Sequence, residues 1–154
     1  MSVRLTSELA DFVNDKSTTK ILATVNGDGS PHAVVKHSLH VGDDGNIHVL
    51  ELLESSNTNR NLVRSIWFGS KVAIALLGKD GRSIQIKGQP VKNHITGPLF
   101  QAHYQRIREQ LGDVDLSSVW VIEPHEVIDQ SFAKRKAEEE AKHPFFTHLD
   151  RLAG

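Results

Sequence analysis

Three glycine–aspartate turns, each set beside short runs of strand-forming residues, limit the possible folds of this chain more than any other feature. Asn26-Gly27-Asp28-Gly29-Ser30-Pro31 follows the apolar run Ile21-Leu22-Ala23-Thr24-Val25. Gly42-Asp43-Asp44-Gly45 separates a segment over 32–41 from one over 46–52, and Gly78-Lys79-Asp80-Gly81 joins 72–77 to 82–91. Connections this short join antiparallel neighbours, because a parallel return needs a dozen or more residues. A parallel βαβ arrangement is excluded for these pairs.

Helical spacing interrupts the strands at defined places. Leu5, Leu9, Phe12 and Val13 repeat at helical intervals behind Thr6 or Ser7 as N-cap, and Leu62, Val63, Ile66 and Trp67 do so behind Ser55, Ser56 or Asn57. After Gly97-Pro98 a helix carries Leu99, Phe100, His103, Tyr104, Ile107 and Leu111 and is closed by Gly112; a sixth strand over 118–122 holds Trp120. The segment 132–142 reads as a helix whose Lys134-Arg135-Lys136 precedes Glu138-Glu139-Glu140, against the helix dipole, so docking is expected to hold it. Phe145, Phe146, Leu149 and Leu152 in the tail are expected to find cover. The fold class that follows is mainly β (α+β). It is a six-stranded antiparallel split β-barrel with peripheral helices, formed as a single domain over 1–154, since a sheet of this length must close or have its edges covered.

Composition narrows the function. With 18 Lys+Arg against 19 Asp+Glu the chain has no basic excess, so nucleic acid is not an expected partner. No long charge-free apolar run is present, so no membrane partner is expected, and the first residues lack a signal core, so a cytoplasmic location is expected. Zero Cys excludes disulfides, thiolate metal sites and a cysteine nucleophile; redox chemistry would need a cofactor. No Gly-x-Ser-x-Gly elbow supports a serine nucleophile. Nine histidines raise the question of a metal. On a continuous strand His37 and His40 would point to opposite faces, His32 and His40 would share a face at a distance, and His94, His103, His125, His143 and His148 are scattered. No metal site is expected from this spacing.

The stretch 51–62 is the most informative. A strand ends there in hydroxyl and amide side chains and a helix begins, which offers unsatisfied backbone N–H groups of the kind that hold phosphate, or equally a well-capped helix.

Four sequence stretches, taken in order, resemble one family. They are Gly29-Ser30-Pro31-His32 in the first hairpin, Ser56-Asn57-Thr58-Asn59-Arg60-Asn61-Leu62, Lys71-Val72-Ala73-Ile74-Ala75-Leu76, and Arg82-Ser83-Ile84-Gln85-Ile86-Lys87-Gly88. Together they are similar to the FMN-binding split-barrel family of pyridoxamine 5'-phosphate oxidase and its relatives, over about residues 19–124. The resemblance implies a homodimer with FMN at the subunit interface, its phosphate at the start of the helix after the third strand and its ring along the second strand.

Carried over by position, Ser55, Ser56, Asn57, Thr58 and Asn59 fall in or beside the phosphate run, followed by Arg60. Asn57 and Thr58 stand where the family has two basic residues. Lys36 and Arg60 are the candidates to restore the charge, with Glu51 and Glu54 working against it. Val35, Lys36, His37 and Ser38 lie where the family contacts the ring; alternation would put Lys36 and Ser38 on one face and Val35 and His37 on the other, and the Lys36/Ser38 face is the one expected to meet the flavin. Arg82 and Ser83 stand where the oxidases carry Arg-Gln near the flavin. The substrate-reading features of the oxidase are not recognisable.

The function expected is that of an FMN-binding oxidoreductase of this class. It would transfer hydride or electrons to or from a small-molecule partner through noncovalent FMN. Two alternatives stand beside it: a cofactor-poor dimeric binding protein, and a relative that binds deazaflavin or haem.

Overall fold

The computed structural model describes residues 2–53, 55–111 and 116–143. The three turns do what their composition dictates. The elements, in chain order, are α1(Ser7–Asn14), β1(Thr19–Val25), β2(Pro31–Val35), β3(His40–Val41), β4(Ile47–Glu51), α2(Asn57–Phe68), β5(Val72–Leu77), β6(Ser83–His94), α3(Pro98–Leu111), β7(Ser118–Asp129) and α4(Phe132–Lys142). Gly29, Gly45 and Gly81 take φ of 87°, 80° and 88° in the three turns, a conformation that side chains with a Cβ rarely adopt.

One curled antiparallel sheet results, in the order β2-β1-β5-β6-β7-β4-β3. The sheet has seven strands where six were expected, because the stretch 32–41 is broken. Leu39 N–H donates to Lys36 C=O at 3.2 Å in a tight turn, so β2 pairs with β1 while β3 pairs with β4. One run of sequence thereby supplies both outer strands of the sheet. The buried Lys20 donates from Nζ to Leu39 C=O at 2.9 Å and secures the turn, and burial lowers its pKa.

β7 runs to Asp129, past the expected end at Ile122, and pairs along nearly all of β6. The register slips at Lys87/Gly88 and Pro90/Lys92. Gly88 is required at the first slip, since a Cβ there would lie 2.7 Å from Glu123 O.

The core packs the sheet against α1 and α2. Leu22, Leu39, Ile47, Ile74, Ile86, Ile122 and Trp120 meet Leu62 from α2 and Val13 from α1. A smaller cluster of Leu50, Ile107, Leu116 and Val119 seats α3. Thr6 caps α1 through Leu9 N–H at 3.2 Å. α4 spans the expected residues, yet none of its residues is buried, so the expected docking surface is not supplied by the described residues. Glu54, Gly112, His148 and the apolar tail side chains lie outside the described residues. Among the described residues no helix is long and apolar enough to cross a membrane.

Candidate functional site

Breaking the strand at 36–39 opens a cavity of about 660 Å³ between that turn, the end of β4 and α3. Alternation along a continuous strand would separate Lys36 and Ser38 from Val35 and His37. The turn instead places all four along this one cavity. Lys36 Nζ lies 3.0 Å from Glu51 Oε2, with the Glu51 side chain 3% exposed. Glu51 Oε1 also accepts from Leu53 N–H at 3.2 Å. The charge of Lys36 is thus matched inside the chain. Ser38 Oγ donates to Leu50 C=O at 3.2 Å and accepts from Leu50 N–H at 3.1 Å, fastening the turn to β4.

The start of α2 adjoins this cavity through Leu53, whose C=O accepts from Ser56 N–H at 3.1 Å. Ser56 is the N-cap: its Oγ accepts from Asn59 N–H at 3.0 Å and its C=O from Arg60 N–H at 3.1 Å. Helix geometry gives the first-turn N–H groups no intrahelical acceptor, so those of Asn57 and Thr58 have no partner among the described residues. The side chains of Ser55, Asn57 and Arg60 are exposed, and no acidic residue stands in the first turn.

The other side chains of the run turn inward. Thr58 is buried with its Oγ1 3.2 Å from His32 Nε2, and Asn59 Oδ1 accepts from Trp120 Nε1 at 2.9 Å. Buried Asn61 donates to Thr24 Oγ1 and to Asn26 Oδ1, both at 2.9 Å. These bonds tie α2 to β1, β2 and β7 and fix where its N-terminus points.

Arg82 and Ser83 lie elsewhere. Arg82 borders a different cavity of about 510 Å³ beside α1, its Nε 2.9 Å from Asp80 Oδ2 and its guanidinium 4.2 Å over the Phe12 ring. Ser83 N–H donates to Ser131 Oγ at 3.0 Å. Within one chain these two residues do not meet Lys36, Ser38 or the start of α2.

A grouping that spacing along the chain did not disclose reaches the wall of the 660 Å³ cavity through His40 and His103. His40 and His48 are direct cross-strand partners in β3 and β4, and His103 of α3 packs on them with ring centroids 5.2 Å and 6.5 Å away. Burial, above all, keeps His103 uncharged down to a pKa of about 4, with smaller contributions from His40, Arg106 and His48. Burial likewise lowers His40.

No protein-family model and no curated protein matches the chain. Solved structures do. HupZ of Group A Streptococcus aligns with a TM-score of 0.68 at 19% identity, covering 83% of this chain and 95% of that one. An FMN-binding protein from Syntrophomonas wolfei aligns at 0.64 and 18% identity, covering 81% and 88%. A putative pyridoxamine 5'-phosphate oxidase from Lactobacillus delbrueckii aligns at 0.60 and 21% identity, covering 81% and 93%. The chain has the split-barrel fold of the pyridoxamine 5'-phosphate oxidase-like proteins. Similarity at this level of identity extends to the fold, and one fold hosts many activities.

Proposed function

We propose that the protein is an FMN-binding oxidoreductase that acts as a homodimer. The observation that carries this reading is the start of α2, where two unclaimed N–H groups, of Asn57 and Thr58, are flanked by the exposed side chains of Ser55, Asn57 and Arg60. Adjacent N–H groups at the positive end of a twelve-residue helix suit a phosphate dianion, and the guanidinium of Arg60 adds the charge that Lys36, paired to Glu51, does not. The neighbouring cavity combines apolar side chains such as Leu50, Leu52 and Ile107 with a larger set of polar and charged ones, and such a mixed lining can seat a heteroaromatic ring that carries hydrogen-bonding edges. In this reading residues 55–60 hold the phosphate, and Lys36 and Ser38 border the ring. Arg82 and Ser83 enter only as residues contributed by a second copy. The bound flavin would supply hydride or electron transfer to a small-molecule partner. The chain's own residues bind, orient and exclude water.

An FMN-binding protein among the structures of the same fold supports the cofactor, and exposed Trp67 and Phe68 on α2 support a second copy. Mass spectrometry of the small molecule released when freshly purified protein is denatured tests the reading. FMN is expected. Protein that releases no flavin and takes up none when FMN is added would overturn it, and release of a deazaflavin or haem would replace FMN with that group. The cofactor-poor alternative draws on one observation, the neutralisation of Lys36 by Glu51 at 3.0 Å, and predicts a colourless protein.

A further inference from the structure

Three imidazoles from three separate elements converge beside the 36–39 turn. One ring nitrogen from each of His40, His48 and His103 lies within 4.8 Å of the others. His48 and His103 are each 4% exposed. Packing alone leaves the group incomplete: Nδ1 of His48 and Nδ1 of His103 are buried with no hydrogen-bond partner. Buried ring nitrogens without a partner are unfavourable, and an electron-pair acceptor bound among the three rings would give them one.

The opposite nitrogens of two rings are held as metal-binding histidines hold theirs. His48 Nε2 lies 3.0 Å from Asp44 Oδ1, and His40 Nδ1 lies 2.7 Å from Ser38 O. A carboxylate or carbonyl at one nitrogen fixes the tautomer, so the lone pair is presented by the other. That leaves His48 Nδ1 and His40 Nε2 as the donors. The His48 ring is further seated on bare backbone, since a Cβ at Gly42 would lie 2.6 Å from its Nε2.

We propose that His40, His48 and His103 form a three-nitrogen site for a late first-row divalent cation, Zn²⁺ being the reference ion. Neutral imidazoles without thiolates suit zinc, nickel, cobalt or copper. Such ions bind imidazole in its neutral form. Zinc–nitrogen bonds of about 2.0–2.1 Å are too short to span the widest separation of 4.8 Å, so binding draws the three rings together. His40, His103 and Arg106 line both the 660 Å³ cavity and a second one of about 430 Å³. The histidine cluster thus borders open space that Arg106 also lines. The site borders the cavity assigned to the flavin ring, but none of its three ligands is among the residues assigned to the flavin, so zinc binding tests it separately.

Titration of the untagged, chelator-stripped full chain with Zn²⁺ by calorimetry tests the site. One ion per chain is expected. His40→Gln and His103→Gln should weaken binding by about a hundredfold or more, and the exposed Asp44→Asn by about tenfold, while His94→Gln leaves it unchanged. Circular dichroism reports whether each variant is folded. Should His103→Gln fail to fold, ¹⁵N resonances of the wild-type imidazoles decide the matter: Zn²⁺ should shift His40 Nε2 and His48 Nδ1 while their other nitrogens keep their protons. Binding without stoichiometry, or binding equal in wild type, His40→Gln and Asp44→Asn, would overturn the site and leave a packed cluster of imidazoles.

Discussion

Lys36 and Glu51 show how a single pair can serve both structure and site. Glu51 is nearly fully buried, and the ammonium 3.0 Å away is its charge partner at the mouth of the cavity. Lys36→Met should therefore lower stability by about 2–4 kcal/mol, because it leaves an uncompensated buried carboxylate. The double variant Lys36→Met/Glu51→Gln should recover most of that loss. Urea denaturation of the four proteins in this cycle measures the coupling, and a single variant as stable as wild type would show that the pair carries no energy. From sequence, Glu51 could be named as working against an anion. Its pairing with Lys36 could not, since that depends on a turn at residues no local pattern marks as breaking.

Among the elements, the loops share one device. The carboxylates of Asp15, Asp28, Asp80 and Asp129 each accept hydrogen bonds from the residue two positions on, namely Ser17, Ser30, Arg82 and Ser131. Those bonds hold all four below the usual 3.8. A carboxyl depressed in the folded state is protonated first in the unfolded chain, so its contribution is complete above the unfolded value and is lost as pH falls through the folded one. The urea midpoint should accordingly drop between about pH 5 and pH 2. Asp28→Asn combined with Asp80→Asn, which keeps an acceptor in each turn, should flatten that drop.

α2 permits a cleaner separation of fold from ligand. Asn57→Glu places an anion in the first turn, which favours the helix by about 0.3–1 kcal/mol while repelling a phosphate. The thermal midpoint should hold or rise as FMN retention falls; retention equal to wild type would argue against a phosphate at this helix start. The helices and the three hairpins follow from periodicity and turn chemistry, which act locally. His40 and His48 face each other across the hairpin that the Gly42–Gly45 turn closes, so their adjacency was open to reading once the hairpin was accepted, whereas the arrival of His103 depends on how α3 packs.

For the molecule as a whole, the exposed apolar surface bears on assembly. Trp67 and Phe68 are each 78% exposed at the end of α2. If a second copy covers them, Trp67→Glu with Phe68→Glu should turn a dimer into a monomer in sedimentation velocity, with the circular dichroism spectrum preserved. A monomeric wild type would remove the homodimer from the proposal. The broken strand carries a last consequence. The outermost ribbons are five and two residues long, and the longer one starts at a proline that cannot donate a hydrogen bond. Such margins give a foreign β-segment almost nothing to zip onto, so concentrated solutions should resist fibril growth, and copies that do associate should do so through helix surfaces.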